Sequence, residues 1–241
     1  MQRYFVNKEQ IKENIIKVDE SDSHHITTVM RMQLGDSVTV CDNENTYLCK
    51  IKTLGKKVEL EIVENIDTDP ELKTNITIAH GLVRREKMEE VVRRLVELGC
   101  FKYIPVDMKK SVVKSKDINS ERINKIIKEA SEQSQRTRLM KIDNVINDKD
   151  LINSFNDYDL VLLAHAKERE NLNLFKEIKK DNINNILVII GPESGFDESE
   201  INGFVNNGAQ LISLGKRVLR TETAPLYIMA VLSFIGEQYE N

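Results

Sequence analysis

Two short segments near the end of the 241-residue chain carry the residues best suited to chemistry. Residues 191–195 read Gly-Pro-Glu-Ser-Gly, and residues 214–224 read Leu-Gly-Lys-Arg-Val-Leu-Arg-Thr-Glu-Thr-Ala. Arg220 is always charged and donates hydrogen bonds from a rigid fork, so it could stabilise negative charge on a reacting group. Glu193 could orient a substrate or accept a proton, although a carboxylate in a turn often only caps nearby amides.

Both segments follow predicted strands of a parallel sheet. The apolar run 186–190 is typical of a buried strand, and a second strand is predicted over 209–214. Between them, Asp197 and Glu200 have capping-box spacing and predict a helix that ends before Gly208. Parallel strands end at one edge of a sheet, where ligands bind. The alternative is that both segments are ordinary βα turns without a ligand.

Common ligand-binding and catalytic motifs do not match these segments. A P-loop needs a lysine directly after its last glycine, and none follows Gly195. The three glycines of a dinucleotide-binding fingerprint are also absent. A nucleophile elbow reads G-x-S-x-G, whereas Ser194 lies in G-x-x-S-G, so a hydrolase with Ser194 as its nucleophile is disfavoured.

Composition sets the general class of the protein. Hydrophobic residues make up 40% of the chain, which is enough for a core, and the formal net charge of −4 argues against a uniformly basic nucleic-acid binder. Cys41, Cys49 and Cys100 have no C-x-x-C spacing, so neither a disulfide framework nor a metal site is expected. The start has no apolar signal segment, and no stretch approaches the roughly 18 apolar residues of a membrane span. We therefore expect a reduced, cytoplasmic protein without membrane association.

The pattern of predicted elements indicates two domains. Short strands over 3–6, 37–41, 46–52 and 57–63 predict a β-rich domain, and the polar segment 67–71 reads as a linker. From residue 76 onward, strands and helices alternate, as a mainly parallel sheet requires. Helices are predicted over 84–98 and 120–138. We place the domains at 1–70 and 74–241.

Basic residues are concentrated in one part of the chain. Residues 108–141 hold 10 basic and 4 acidic groups, although the chain as a whole is acidic. Such a segment suggests a local contact with a polyanion. The alternative is a solvated helix face that follows a lysine-rich loop.

The two C-terminal segments resemble a known family. Ile190–Phe196, which reads Ile-Gly-Pro-Glu-Ser-Gly-Phe, and Leu214–Ala224 resemble the signature of the RsmE family, SPOUT-class methyltransferases that modify N3 of a uridine in 16S ribosomal RNA. The resemblance covers essentially the whole chain. It implies an α/β fold, with a trefoil-knotted SPOUT methyltransferase domain preceded by a small PUA-like β-barrel domain. The family usually has Gly at Ser194, and Gly permits backbone angles that Ser does not.

The resemblance also implies a cofactor, S-adenosylmethionine, held largely by backbone groups of the two segments. The residues expected to bind it are Leu163, Gly191, Glu193, Ser194, Gly195, Leu214, Gly215, Leu219, Arg220, Thr221 and Ala224. Arg220 and Glu193 are the candidate catalytic residues. Arg220 is expected to stabilise charge on the carbonyl oxygens beside N3.

RNA-binding residues follow from the same resemblance together with the basic segment. His25, Arg31 and Gly35-Asp36 resemble the PUA-like domain, 87–99 resembles a family helix, and 129–136 resembles a motif implicated in the RNA target. The residues expected to contact RNA are Arg31, Arg94, Lys110, Lys114, Gln133, Arg136 and Arg138.

The leading hypothesis is therefore S-adenosylmethionine-dependent methylation of a uridine N3 in 16S rRNA, as free RNA or within the small ribosomal subunit. A non-catalytic RNA-binding adaptor with a degenerate cofactor loop is the alternative. The terminal helix, 224–237, is apolar nearly all round, so it needs a second surface to cover it. A twofold partner commonly provides such a surface, and we expect a homodimer.

Overall fold

The computed structural model describes residues 1–113, 120–165 and 183–239. The chain divides into two compact units. The first contains Met1–Glu71 together with Ser131–Leu139, and the second contains Leu72–Ala130 together with Met140–Asn241. A short internal segment thus belongs to the first unit, which a division of the sequence at one linker does not anticipate.

The first unit contains a six-stranded sheet in the order β1-β4-β5-β6-β3-β2, in which β1 and β4 are parallel and the other pairs are antiparallel. Four of the strands lie close to the predicted ranges, whereas β2 and β3 form a short hairpin that sequence patterns did not indicate. The strands are β1 (Arg3–Phe5), β2 (Ile11–Lys12), β3 (Ile15–Lys17), β4 (Ser37–Cys41), β5 (Thr46–Thr53) and β6 (Glu59–Asn65).

A short helical segment lies between β3 and β4 of this unit. Helix α1 (Glu20–His24) begins at Asp19, whose side chain accepts a hydrogen bond from the Asp22 backbone N–H, and it continues as a π-helical turn over His25–Val29. Residues of the strands, residues that directly flank the strands and Ile26 form the buried core. Its members are Tyr4, Val6, Ile16, Val18, Ile26, Val38, Val40, Cys49, Ile51, Val58 and Leu60.

The second unit contains a parallel sheet in the order β10-β8-β7-β12-β11-β13, with β9 also paired to β8. The mainly parallel sheet expected from the alternation of elements is therefore present. The strands are β7 (Asn75–Gly81), β8 (Lys102–Asp107), β9 (Lys141–Ile142), β10 (Ile146–Asn147), β11 (Leu160–Ala164), β12 (Asn185–Ile190) and β13 (Gln210–Ile212). Among the described residues, the α-helices after the first one are α2 (Arg85–Glu97), α3 (Ser120–Gln133), α4 (Asp148–Asn153), α5 (Glu198–Asn206) and α6 (Ala224–Tyr239).

Local sequence explains most of these boundaries. Asp197 and Glu200 form the predicted capping box at the start of α5, and Gly208 follows its end with φ +104°. Helix α3 ends at Gln133, earlier than predicted, because Gln135 has φ 62°. The Arg136 N–H bonds to the Ser131 carbonyl, which closes the helix in a Schellman arrangement.

Helix α6 packs against α2 and β7. Among the described residues, no helix is long and apolar enough to span a membrane.

Candidate functional site

A cavity of 730 Å³ lies in the second unit, where β11 and β12 end. This volume is within the roughly 300–1,000 Å³ range of small-molecule sites. The two glycine-containing segments supply most of its wall, and Ala164 and His165 complete it at the end of β11. The carboxyl edge of the sheet is therefore the place where a ligand fits.

All but one of the residues predicted to bind the cofactor line this cavity. They are Gly191, Glu193, Ser194, Gly195, Leu214, Gly215, Leu219, Arg220, Thr221 and Ala224. The exception is Leu163, whose side chain is fully buried in the hydrophobic core. Because side chains alternate along a strand, its neighbour Ala164 reaches the cavity instead.

The first segment forms a hydrogen-bonded turn. The Gly195 N–H donates to the Pro192 carbonyl at 2.9 Å, and Gly195 has φ +69°. Ser194 is exposed, and it is not among the four non-glycine residues with positive φ in the described part of the chain. The position where the family usually has Gly therefore does not need glycine's conformational freedom here.

The second segment turns back on itself before α6. The backbone N–H groups of Thr223 and Ala224 both donate to the Arg220 carbonyl at 2.9 Å. The Arg220 side chain is exposed and lines the cavity, as do Arg217 and Glu198. A cationic side chain is thus available to a substrate that enters the cavity.

Side-chain hydrogen bonds join the two segments to each other. Thr221 Oγ1 donates to the Gly191 carbonyl at 2.7 Å. On the outside, Lys87 Nζ lies 2.8 Å from a Glu193 carboxylate oxygen and 3.3 Å from Glu222. Burial acts to raise the pKa of Glu222, but hydrogen bonds from its own backbone N–H and from Lys87 outweigh it and lower that pKa.

Lys87 was not predicted as a site residue, although it lies in the helix that resembles the family. Lys110, predicted to contact RNA, also lines the cavity, and its Nζ donates to the Phe196 carbonyl at 2.9 Å. A lysine in a charged loop gives no sequence signal that separates a cavity contact from a solvated position.

The remaining residues predicted to contact RNA are distributed between the two units. Arg94 is exposed in the second unit and pairs with Glu97 at 3.0 Å. Arg31, with φ 52°, and Gln133 are exposed in the first unit. Lys114 lies outside the described residues.

Arg136 occupies a buried position in the first unit. Its guanidinium donates from Nη2 to Glu71 at 2.6 Å, and the two side chains are 6% and 2% exposed. Glu71 also accepts the backbone N–H groups of Thr137 and Arg138, at 2.9 and 3.1 Å. Such burial leaves the Arg136 side chain no surface for RNA, so the structure favours a structural role for it. Arg138 is half-buried, 3.7 Å from Glu71.

The Glu71 carboxylate is held ionised by these contacts. Burial acts to raise its pKa, but the hydrogen bonds and charge of Arg136 and the two backbone N–H groups lower it overall. Within the part of the chain that the structure describes, no group of three or more His, Cys, Asp or Glu side chains is arranged to hold a metal ion.

Two family models match the chain. The RNA methyltransferase domain matches residues 70–233, and the RNA methyltransferase PUA domain matches residues 18–63. Among individual relatives, the Ribosomal RNA small subunit methyltransferase E of Bacillus subtilis (strain 168) is 32% identical over 98% of each chain.

Solved structures share the fold of this chain. The crystal structure of a hypothetical protein is 32% identical, with a TM-score of 0.86 over 99% of this chain and 100% of that one. A Ribosomal RNA small subunit methyltransferase E from Neisseria gonorrhoeae, bound to S-adenosyl methionine, has the same fold, with a TM-score of 0.87 at 24% identity over 98% of each chain. The resemblance inferred from the two glycine-containing segments is confirmed: the chain belongs to the ribosomal RNA small subunit methyltransferase E family.

Proposed function

We propose that this protein transfers a methyl group from S-adenosylmethionine to N3 of a specific uridine in the 16S rRNA of the small ribosomal subunit. The observation that carries the proposal is the cavity at the carboxyl edge of the sheet. It is walled by the two segments that resemble the family signature, and a direct hydrogen bond from Thr221 to Gly191 joins them.

The residues around the cavity fit S-adenosylmethionine. Its volume suits a ligand of this size, and its wall combines apolar side chains, such as Ile201 and Leu219, with backbone groups of glycines. Backbone groups of Gly191, Leu214 and Gly215 would hold the adenosine and methionine parts. A relative bound to the same molecule supports this choice.

Arg220 is our candidate for the main catalytic role. When bound, the cofactor supplies a methyl group activated by a positive sulfur. The chain must then hold uracil in line, exclude water and handle the charge left when the N3 proton leaves. Arg220 can donate to a carbonyl oxygen beside N3, where that charge accumulates. Because Glu193 is paired with Lys87 at 2.8 Å, we assign it to orienting the loop.

RNA contacts in the proposal come from both units. The PUA domain would hold RNA through Arg31, and the exposed Gln133 and half-buried Arg138 would add contacts. In the second unit, Arg94 and Lys110 are accessible to a phosphate backbone, and Lys114 continues the basic loop in sequence. These residues would position the RNA, whereas the cavity would select the base.

We also propose that residues 185–239 form the trefoil knot and that the protein is a homodimer. Supporting the knot, β13 lies beyond β11 in the sheet, whereas α6 returns to contact β7. The segment between them lines the same cavity as the residues at the ends of β11 and β12, which is consistent with a crossing there. Supporting the dimer, Val218, Tyr227 and Phe234 are 80%, 43% and 61% exposed in the single chain.

Methylation of ribosomal RNA tests the function directly. 16S rRNA from cells with and without the gene would be compared by mass mapping of methylated uridines. One N3-methyluridine should disappear and return when the purified protein acts on undermethylated small subunits. An unchanged methylation map would contradict the proposal. If calorimetry also detected no S-adenosylmethionine binding while the protein still bound small subunits, the alternative of a non-catalytic RNA-binding adaptor would be favoured.

Arg220→Ala provides the matched test of mechanism. Loss of one preorganised donor typically costs on the order of 3 kcal/mol, so single-turnover methylation should fall about a hundredfold. Cofactor affinity by calorimetry should stay within about twofold. Arg217→Ala is the control, because Arg217 is also an exposed cation of the same wall. Turnover unchanged in Arg220→Ala would remove the assigned role.

A further inference from the structure

A buried histidine is hydrogen-bonded to Thr221 of the cavity wall. His80, near the end of β7, is completely buried and stands opposite Ile190 of β12 in the sheet register. Its Nδ1 is 3.0 Å from the hydroxyl of Tyr103, and its Nε2 is 2.9 Å from Oγ1 of Thr221. Thr221 in turn bonds to the Gly191 carbonyl. Four groups thus form a continuous hydrogen-bonded network from the core to the two glycine-containing segments, residues 191–195 and 214–224, which we call the first and second cofactor segments.

The direction of every hydrogen bond in this network can be deduced. A carbonyl oxygen only accepts, so the single proton of the Thr221 hydroxyl is donated to Gly191. Thr221 Oγ1 must therefore accept from His80, which puts the imidazole proton on Nε2. His80 Nδ1 is left as an acceptor, and the Tyr103 hydroxyl donates to it. One tautomer of a neutral imidazole satisfies all partners, and burial lowers the pKa of His80 to about 4.

The backbone beside His80 is equally constrained. A Cβ built on Gly81 would lie 2.5 Å from the Pro192 backbone nitrogen, so the end of β7 packs tightly against the first cofactor segment. His80 does not line the cavity, and neither does Tyr103. His80 is connected to the cavity wall through the Thr221 hydroxyl and, along the backbone, through the packing at Gly81.

We propose that His80 is a positioning residue for cofactor binding. Through its Nε2–H it orients the Thr221 hydroxyl, and so holds the two cofactor segments at the separation that the ligand needs. Tyr103 fixes the imidazole in the required tautomer. This inference rests on the proposed function, because it takes the cavity as the S-adenosylmethionine site.

Two substitutions of His80 separate positioning from simple space filling. The amide nitrogen of a Gln side chain falls near the place of Nε2 and can still donate to Thr221. An Asn side chain reaches only the place of Nδ1 and loses that contact. Loss of one oriented hydrogen bond is worth about tenfold in affinity. We therefore expect S-adenosylmethionine to bind His80→Asn about tenfold more weakly than the parent, and His80→Gln within about threefold of it.

Substitutions of the two hydrogen-bond partners of His80 extend the test. Tyr103→Phe removes the donor to Nδ1 without touching the cavity, and should also weaken cofactor binding severalfold. Thr221→Val should weaken binding about as much as His80→Asn, whereas Thr221→Ser, which keeps a hydroxyl, should restore it. Thermal melting of each variant monitors folding. A purely structural role would lower the melting temperature without this pattern of dissociation constants.

An NMR measurement on the unmodified protein keeps the proposal falsifiable if a variant does not fold. Long-range ¹H–¹⁵N correlation should find His80 as the neutral Nε2–H tautomer, unchanged between pH 5.5 and 8. The Nδ1–H tautomer, or titration in that range, would overturn the proposal, as would equal affinities of the Asn and Gln variants. Failure of the parent itself to bind S-adenosylmethionine would instead overturn the proposed function, and this inference with it.

Discussion

The two units each bury a polar cluster, and the clusters are built differently. In the first unit, the charged carboxylate of Glu71 accepts hydrogen bonds from the Arg136 side chain and from the backbone N–H groups of Thr137 and Arg138. In the second, Tyr103, His80 and Thr221 form an uncharged chain that ends on a cavity wall. The first cluster holds a segment of backbone in place, whereas the second reaches the predicted site.

The difference follows from the cost of burying charge. An ion pair removed from water must have its remaining lone pairs and protons satisfied, and Glu71 meets this condition with backbone N–H groups. A network of uncharged hydrogen-bonding groups costs less to bury, and its directional hydrogen bonds fix the orientation of each side chain. A buried cation is therefore weak evidence for RNA binding, even when it lies in a basic segment.

The largest expected effect comes from removing the charge at the centre of the first cluster. Glu71→Gln leaves the Arg136 guanidinium buried without its counterion, which typically costs about 3–5 kcal/mol of unfolding free energy. Urea denaturation measures the loss, and calorimetry should show S-adenosylmethionine affinity unchanged. Glu61→Gln is the control, because its ion pair with Lys52 is exposed and should contribute little. A comparable loss in the control would remove the distinction between the sites.

The second cluster should make the free energy of unfolding depend on pH. His80 has a pKa of about 4 in the folded chain against 6.5 for an ordinary imidazole. Between these values the unfolded chain takes up a proton that the folded chain does not, so stability is full above pH 6.5 and falls towards pH 4. From pH 7.5 to 4.5, the parent should lose about 2–3 kcal/mol more than His80→Gln.

Comparing parent and variant isolates this histidine from the carboxylates. Glu71 and Glu222 have lowered pKa values, so protonation of these carboxylates in acid also destabilises the folded protein. This effect is the same in the parent and in the variant. Glu222 is the charged group that acts on His80 from the second cofactor segment, and its charge favours the protonated ring. Equal pH dependence in the two proteins would show that His80 takes up a proton as readily in the folded chain as in the unfolded one.

Sequence patterns predicted the elements around the cavity well, because their signals are local. The apolar run of β12, the capping box at Asp197 and the glycine after α5 each act within a few residues. The same holds for the two segments that carry the family signature. The local patterns predicted that these loops share one edge of the sheet, and the family resemblance of the two segments supplied the individual residues that line the cavity.

Long-range pairing could not be predicted in this way. His80 and Thr221 are 141 positions apart, and Arg136 and Glu71 are 65 apart. No periodicity reports which buried polar groups meet across such distances. Arg136 was predicted to contact RNA because of its neighbours in sequence, whereas its partner lies in the segment that reads as a linker. The early end of α3 depends on a single residue, Gln135, in a conformation more typical of glycine.

A smaller effect should separate Lys110 and Lys114 of the basic segment from Lys52 and Lys56, exposed cations of the first unit, in RNA binding. Lys110 and Lys114 belong to the basic loop, so changing both to Gln should lower the salt dependence of binding to small subunits by about one slope unit per lost phosphate contact. Filter binding at several salt concentrations measures the slope. Lys52→Gln with Lys56→Gln is the charge-matched control from the first unit. A slope that changes equally in both would mean that position does not matter.

The smallest expected effect comes from substitutions within the first cofactor segment. They test whether the segment is fixed by contacts with Thr221 and Lys87 or by its own turn. Ser194 is exposed and lacks a positive φ, and the segment is fixed by Thr221, by Lys87 and by the turn at Gly195. Ser194→Gly should therefore cost only about 0.5 kcal/mol, through the freer unfolded chain, and should change cofactor affinity less than twofold. Gly195→Ala places a side chain at φ +69° and should cost about 1 kcal/mol. Urea denaturation and calorimetry on the two variants decide the matter. A marked gain in cofactor affinity from Ser194→Gly would show that the conformation of the turn limits the affinity, and not the hydrogen bonds through His80.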